Sequence, residues 1–140
     1  MRQQFGFFYL QEFEQVQILP MAVFRDGTGP LRPPQVGACS FAERRDALNG
    51  ARDNRTEYFV IPSHNFEMRK QRSSEPDALV VARFEHLCAF LGTQRGQMEG
   101  IAMSQVPVAI GTPPNPPPAQ ASLSATLRRH GEQAVSRLFE

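Results

Sequence analysis

His64 and Glu67 are the pair whose residue types and spacing best fit acid–base chemistry in this chain. Both follow Pro62, which ends an apolar run, and a spacing of three residues brings their side chains close together in one turn. A metal site would need further ligands, and no more potential ligands cluster nearby. Polar residues often follow the end of a strand for structural reasons alone, so an enzyme using this pair ranks third among our hypotheses.

Cys39 and Cys88 are the two cysteines, and their wide separation matches neither a CxxC motif nor a zinc-ligand spacing. The pattern around Cys88 predicts a buried, reduced thiol on the apolar face of a helix. Cys39 precedes a predicted helix whose dipole would favour a thiolate, but a nucleophile also needs a neighbouring histidine, which the sequence does not supply locally. We therefore predict no catalytic cysteine, no metal and no cofactor.

A basic stretch is the candidate for nucleic-acid binding. Tyr58, Phe59 and Phe66 lie within it, and basic groups alternating with aromatic rings are typical of single-strand binding. Carboxylates in the same stretch cancel most of its charge, and the whole chain carries a formal charge of only +1. A nucleic-acid-binding accessory protein is therefore the alternative hypothesis and not the favoured one. The basic residues of this stretch are Arg44, Arg45, Arg52, Arg55, Arg69, Lys70 and Arg72.

The secondary structure predicted around these residues indicates an α+β fold, with a small and mostly antiparallel sheet and two packed helices. The 140 residues are 41% hydrophobic and include 11 Phe, which is enough for one ordinary core. Alternation and aromatic content predict strands, and helical spacing predicts helices. The predicted strands are Gln4–Leu10, Val16–Phe24, Glu57–Ile61 and Gly100–Ile110, and the predicted helices are Ser40–Ala51 and Ser74–Gly92.

Capping signals support both helices. Ser40 with Glu43 three residues later forms a capping-box pattern. Ser74 with Asp77 gives a similar start to the second helix, and Gly92 gives its stop. The spacing in the second helix predicts one buried face, formed by Val80, Phe84, Leu87, Cys88 and Leu91.

The C-terminal part of the chain changes composition. We predict a compact domain over residues 1–111, a proline-rich arm over 112–121 and an amphipathic helix over 122–140. The prolines favour an extended backbone, and a lone helix of this length is marginal in water without an apolar surface to lie against. That surface is either its own domain or a neighbouring subunit. The apolar stripe, our predicted partner-binding surface, consists of Leu123, Leu127, Val135, Leu138 and Phe139.

These patterns favour a non-enzymatic structural or adaptor subunit that contacts a protein partner, or a second copy of itself, through the C-terminal helix. A virion or another multi-subunit particle assembled in the cytoplasm would suit such a chain. The N-terminus has no signal-peptide pattern, and no stretch is apolar enough to span a membrane, so we expect a cytoplasmic protein without a membrane partner.

Overall fold

The computed structural model describes residues 8, 10–70, 73–107 and 116–138, and the statements below concern those residues. Their elements confirm the predicted α+β class, with short strands preceding most of the helical part. The strands are β1 (Gln11–Phe13), β2 (Val16–Ile18), β3 (Phe24–Arg25) and β4 (Leu31–Arg32), and the helices are α1 (Phe41–Asp53), α2 (Ala78–Thr93) and α3 (Leu123–Leu138).

The strands pair as two separate antiparallel hairpins, β1 with β2 and β3 with β4. Glu14 and Gln15 turn the first hairpin with positive φ angles of 48° and 65°, the conformation that a two-residue turn requires. The strand predicted from Val16 to Phe24 is broken after Ile18, because Pro20 lacks the N–H that would continue the ladder. Of the strand predicted at Gln4–Leu10, residues 4–7 and 9 lie outside the described residues.

The end of the proline-rich arm lies along β3. The Arg25 N–H donates to the Ala119 carbonyl, and the Ala121 N–H donates to the Arg25 carbonyl, both at 2.8 Å. This part of the arm is therefore attached to the domain, whereas residues 112–115 lie outside the described residues. Whether residues 1–111 fold alone stays a prediction.

Two predicted strands are wrong. Residues 57–61 make single hydrogen bonds, such as that from the Ala22 N–H to the Val60 carbonyl at 3.3 Å, without forming a ladder. The stretch predicted as a strand from Gly100 contains a 3₁₀ helix at Met103–Gln105, and its last residues, 108–110, lie outside the described residues. In both stretches the composition is rich in strand-forming residues, but neither stretch pairs with any of the four strands that the structure describes.

The capping-box prediction for α1 is confirmed, since the Ser40 side chain accepts from the Glu43 N–H and the Glu43 carboxylate accepts from the Ser40 N–H. For α2 the predicted cap is wrong. The cap is Asp77, whose Oδ1 accepts from the N–H groups of Leu79 and Val80 at 3.0 and 3.1 Å. The helix also continues through Gly92 to Thr93.

The buried face of α2 differs from the predicted one. Val80 and Leu87 are buried together with Val36 and Leu48, but Phe84 is 40% exposed and Cys88 is exposed. Apolar residues cover most of the circumference of α2, so helical spacing alone could not select the inner side. Among the described residues, no helix is long and apolar enough to cross a membrane.

Candidate functional site

The most informative surface of the molecule is α3, the C-terminal helix. Its first turn is fixed to α1 by Ser122, which donates from its N–H and its hydroxyl to Asp46 Oδ2 at 3.0 and 2.7 Å. The Ser122 hydroxyl in turn accepts from the Ala125 N–H at 3.3 Å and so caps the helix. Burial acts to raise the pKa of Asp46, but the hydrogen bonds from Ser122 outweigh it, and the pKa lies below its ordinary value.

The β3–β4 turn also touches the start of α3. A Cβ added to Gly27 would lie only 2.4 Å from the Leu123 Cα, so a side chain there would collide with backbone. The Gly27 N–H donates to the Thr126 hydroxyl at 2.9 Å. Glycine is therefore required for close approach between this turn and the helix.

The inner face of α3 is polar and charged, and it is buried against α1 and the β3–β4 turn. Arg129 is 3% exposed, and it donates from Nε to Glu43 Oε1 at 3.0 Å and from one terminal nitrogen to Asp26 Oδ2 at 3.2 Å. The Thr126 hydroxyl donates to the same Glu43 oxygen at 2.9 Å. The second oxygen of Glu43 accepts from Ser40. Each buried charge thus has an opposite charge and further hydrogen bonds, which is the condition for burying an ion pair without a large penalty.

Asp26 is held in its ionised form by its surroundings. Its burial acts to raise the pKa, but hydrogen bonds from the Thr28 hydroxyl and N–H, at 2.6 and 2.9 Å, outweigh it together with the charges of Arg129 and Arg32. The pKa of Asp26 is therefore lowered. This carboxylate keeps its charge at neutral pH and continues to attract Arg129.

A second ion pair joins the middle of α3 to α2. The Arg83 guanidinium donates twice to Glu132 Oε2, at 2.8 and 3.0 Å, and once to the Gly37 carbonyl at 2.8 Å. Arg83 is 3% exposed. On the solvent side, Arg128 donates to the other Glu132 oxygen at 3.0 Å. These contacts fix the rotation of α3 about its axis.

The outer face of α3 is apolar and faces solvent. Helical geometry places the four apolar residues of this face, together with Ala134, opposite Ala125, Thr126 and Arg129. We call these four residues the α3 stripe; Phe139 of the predicted set lies outside the described residues. The members of the α3 stripe are Leu123 (55% exposed), Leu127 (60%), Val135 (54%) and Leu138 (79%).

The structure places the proposed catalytic pair in separate environments. The Glu67 carboxylate accepts from the Gly37 N–H at 2.9 Å and from the Gln35 side chain, so it links the 3₁₀ helix Asn65–Met68 to the loop before α1. The His64 ring stacks on Phe66, with centroids 4.9 Å apart. The Glu67 N–H donates to the His64 carbonyl at 3.1 Å, but no hydrogen bond joins the two side chains, both of which are described. Glu67 therefore has a structural role in this arrangement.

The predicted basic stretch is divided between buried and paired positions. Arg44 is fully buried and donates to the Arg83 carbonyl at 3.1 Å, and burial lowers its pKa to about 10. Arg52 pairs with Asp53 at 3.0 Å, and it also donates to the side chains of Gln94 and Gln97, just beyond the C-terminal end of α2. The other members that the structure describes are exposed. Among them, Arg45 pairs with Asp46 and Lys70 pairs with Glu75, and Arg55 and Arg69 also lie at the surface. Arg72 lies outside the described residues.

The prediction that Cys88 is buried is wrong, and the buried thiol is that of Cys39. Cys39 is buried in the cluster with Phe24 and Ala47, and its thiol donates to the Pro33 carbonyl at 3.2 Å. Burial, and then the nearby charge of Glu43, raise the pKa of Cys39, which disfavours a thiolate nucleophile. Cys88 is the exposed thiol. Among the described residues, no group of His, Cys, Asp and Glu is arranged to hold a metal ion.

The anchoring residues of α3 were not singled out from the sequence. The sequence around Asp26 predicts only a turn, and Glu43 is predicted only as a capping residue. Arg129 is predicted to lie on the polar face of an amphipathic helix. A polar face that is buried has the same residue spacing as one that is solvated, so no local signal distinguishes the two. Comparisons with protein families, with characterised proteins and with solved structures find no match to this chain.

Proposed function

We propose that this protein is a non-enzymatic structural or adaptor subunit of a larger assembly, and that it contacts a neighbouring subunit through the α3 stripe. One observation carries the proposal: α3 is attached to its own domain by charged and polar side chains and presents its apolar side chains to solvent. An amphipathic helix that serves only its own core is oriented the other way round.

An exposed apolar row of this kind is a common mark of a protein–protein contact, because the largest apolar patch on a soluble protein is often functional. The ion pairs of Arg129 and Arg83 make the row a preformed surface, since they fix α3 before any partner arrives. A preformed surface loses little conformational entropy on binding. The orientation of α3 is thus suited to docking.

The size of the row indicates how strong the contact is. Each member of the α3 stripe is already partly covered, so burying the remainder contributes about 1 kcal/mol per side chain. A partner with a similar apolar surface contributes as much again. One such contact gives modest affinity, and several of them in a symmetric or multi-subunit assembly give tight association.

The test is the double substitution Leu127→Asp and Leu138→Asp. We expect the melting temperature to stay within a few degrees of wild type, because both side chains face solvent. We also expect a photo-crosslinking amino acid at position 127 to give discrete crosslinked species in the cells that naturally make the protein. The matched control places the same crosslinker at position 103, because Met103 is 67% exposed but lies outside α3.

A large fall in melting temperature for the double variant, in a chain that is monomeric throughout, would show that the α3 stripe is covered by its own domain. Equal crosslinking from positions 127 and 103 would show that the stripe has no special partner. Either result would contradict the proposed function.

A further inference from the structure

We propose that the neighbour docked on the α3 stripe is a second copy of this chain, paired through α3 in an antiparallel, two-fold symmetric arrangement with Gly131 at the crossing point. This inference rests on the proposed function and deepens it by naming the partner. Three independent features of α3 support it: the spacing of its apolar residues, the place of its glycine, and the charges beside the stripe.

The first feature is the spacing. Leu123, Leu127, Gly131 and Val135 follow one another at intervals of four residues and form one ridge along the helix. Ridges of this spacing interdigitate when two helices pack. A surface that docks on its own copy must be complementary to itself. The ridge meets that requirement around Gly131, because Leu127 lies four positions before the glycine and Val135 lies four positions after it.

The second feature is the glycine. Gly131 lies between Leu127 and Val135, and an antiparallel pair centred on it places Leu127 of each copy opposite the partner's Val135. No atom lies within 4 Å of the position that a Cβ on Gly131 would occupy. Glycine in a helix costs about 1 kcal/mol relative to alanine, and nothing in the part of the chain that the structure describes requires it at this position. A glycine here would let a second helix approach closely.

The third feature is the charge. In the antiparallel pair, Arg128 of each copy lies within one helical turn of the partner's Glu132, so the rim of the contact joins opposite charges. Arg128 already donates to Glu132 in its own chain, and its side chain is 64% exposed, which leaves it free to bridge two carboxylates. A parallel pair would instead bring Arg128 beside its own copy and align the two helix dipoles unfavourably.

The area of the contact is that of a weak, transient complex. The four exposed side chains offer roughly 400 Å² per copy, or about 800 Å² in the pair, which is the range of transient complexes. We therefore expect a dissociation constant on the order of 100 µM. A dimer of this strength would be fully formed only where the chain is concentrated, as in an assembled particle.

Sedimentation equilibrium on the full chain tests the pairing. We expect wild-type protein to be monomeric at about 10 µM and largely dimeric near 1 mM. L127D/V135D should remain monomeric over that range, and the matched control M21D/M103D, which places two charges on exposed apolar residues outside α3, should dimerise as wild type does.

Disulfide trapping tests the geometry. Cys88 is exposed on α2 and Cys39 is buried, so the variant C88S/G131C carries one accessible thiol, at the proposed crossing point. Two thiols at a helix crossing meet the distance requirement for a disulfide. We expect mild oxidation to convert C88S/G131C to a covalent dimer much faster than it converts wild-type protein, whose exposed Cys88 serves as the control off the stripe.

Wild-type protein that stays monomeric near 1 mM, or C88S/G131C that oxidises no faster than wild type, would overturn the self-pairing. If in that case the melting temperature of L127D/L138D is unchanged and position 127 still gives discrete crosslinks that position 103 does not give, the stripe serves a different partner and the proposed function stands. A fall in that melting temperature would overturn the proposed function as well.

Discussion

The inner and outer faces of α3 reverse the usual arrangement of an amphipathic helix. The inner face buries Arg129, together with Thr126 and the partly buried Glu132, whereas the outer face exposes Leu127 and Leu138. Apolar contacts would hold a helix in many rotations about its axis, but a guanidinium placed between two carboxylates accepts only one. The charges therefore set the orientation of α3 and leave its apolar face exposed to solvent.

The ion pairs also explain why a polar inner face is tolerated. Glu43 accepts hydrogen bonds from Ser40, Thr126 and Arg129, and Asp26 accepts from Thr28 and Arg129. A buried charge without such partners costs several kcal/mol, and most of that cost is recovered when partners surround it. The two faces should therefore respond very differently to substitution.

The largest expected effect is on the inner face. Arg129→Met should lower the free energy of unfolding by about 3–5 kcal/mol, because it leaves Glu43 and Asp26 buried without their shared cation. Arg128→Met is the matched control, because it also removes an arginine, but from an exposed ion pair. It should lower the free energy of unfolding by about 0–1 kcal/mol. Urea denaturation of both variants measures the difference. Equal, small losses would mean that charge does not hold α3 in place.

A smaller effect separates Gly50 of α1 from Gly131 of α3. A Cβ on Gly50 of α1 would lie 2.6 Å from the Ala119 Cβ, so Gly50→Ala should destabilise the protein by about 1–3 kcal/mol. Gly131→Ala meets open space in the single chain and should stabilise it by up to about 1 kcal/mol. Thermal melts at low concentration, where the chain is monomeric, give both values. Stabilisation by Gly50→Ala would show that the arm does not pack against α1.

The smallest expected effect concerns pH. The pKa of Asp26 is lowered in the folded protein, so its contribution to stability is present above the unfolded pKa of about 3.9 and is lost as the pH falls through the folded value. Wild-type protein should therefore lose more stability than Asp26→Asn between pH 6 and acid. Urea titrations across that range provide the test, and parallel curves for the two proteins would contradict it.

Local sequence signals predicted part of the fold correctly. The Ser40–Glu43 capping box placed the start of α1, and the return of helical spacing after the prolines placed the start of α3 within one residue of Leu123. Both signals act through contacts between residues three or four apart, which the sequence contains in full. The apolar stripe on α3 was identified for the same reason.

Predictions that depended on distant partners were less successful. The composition at Glu57–Ile61 favours a strand, but none of the four strands that the structure describes pairs with it. Phe84 and Cys88 have helical spacing suited to a core, but α2 turns other residues inward, because Arg83 must reach Glu132 of α3 and the Gly37 carbonyl. The spacing of His64 and Glu67 brings them into one turn, but the Glu67 carboxylate accepts hydrogen bonds from the Gln35 side chain and the Gly37 N–H, which lie 32 and 30 residues earlier in the chain.

Sequence patterns alone predict the α+β class, the N-terminal cap of α1 and the two-sided character of α3. Each of these features depends on residues that are close together in the chain. The side of α3 that faces inward, by contrast, is set by contacts that form only in the folded protein. That choice depends on Asp26 and Glu43, which lie 103 and 86 residues before Arg129 in the chain and meet it only in the folded protein. Hydrophobicity favours burying the stripe, whereas the ion pairs and hydrogen bonds of Arg129 and Arg83 fix the opposite face against the domain.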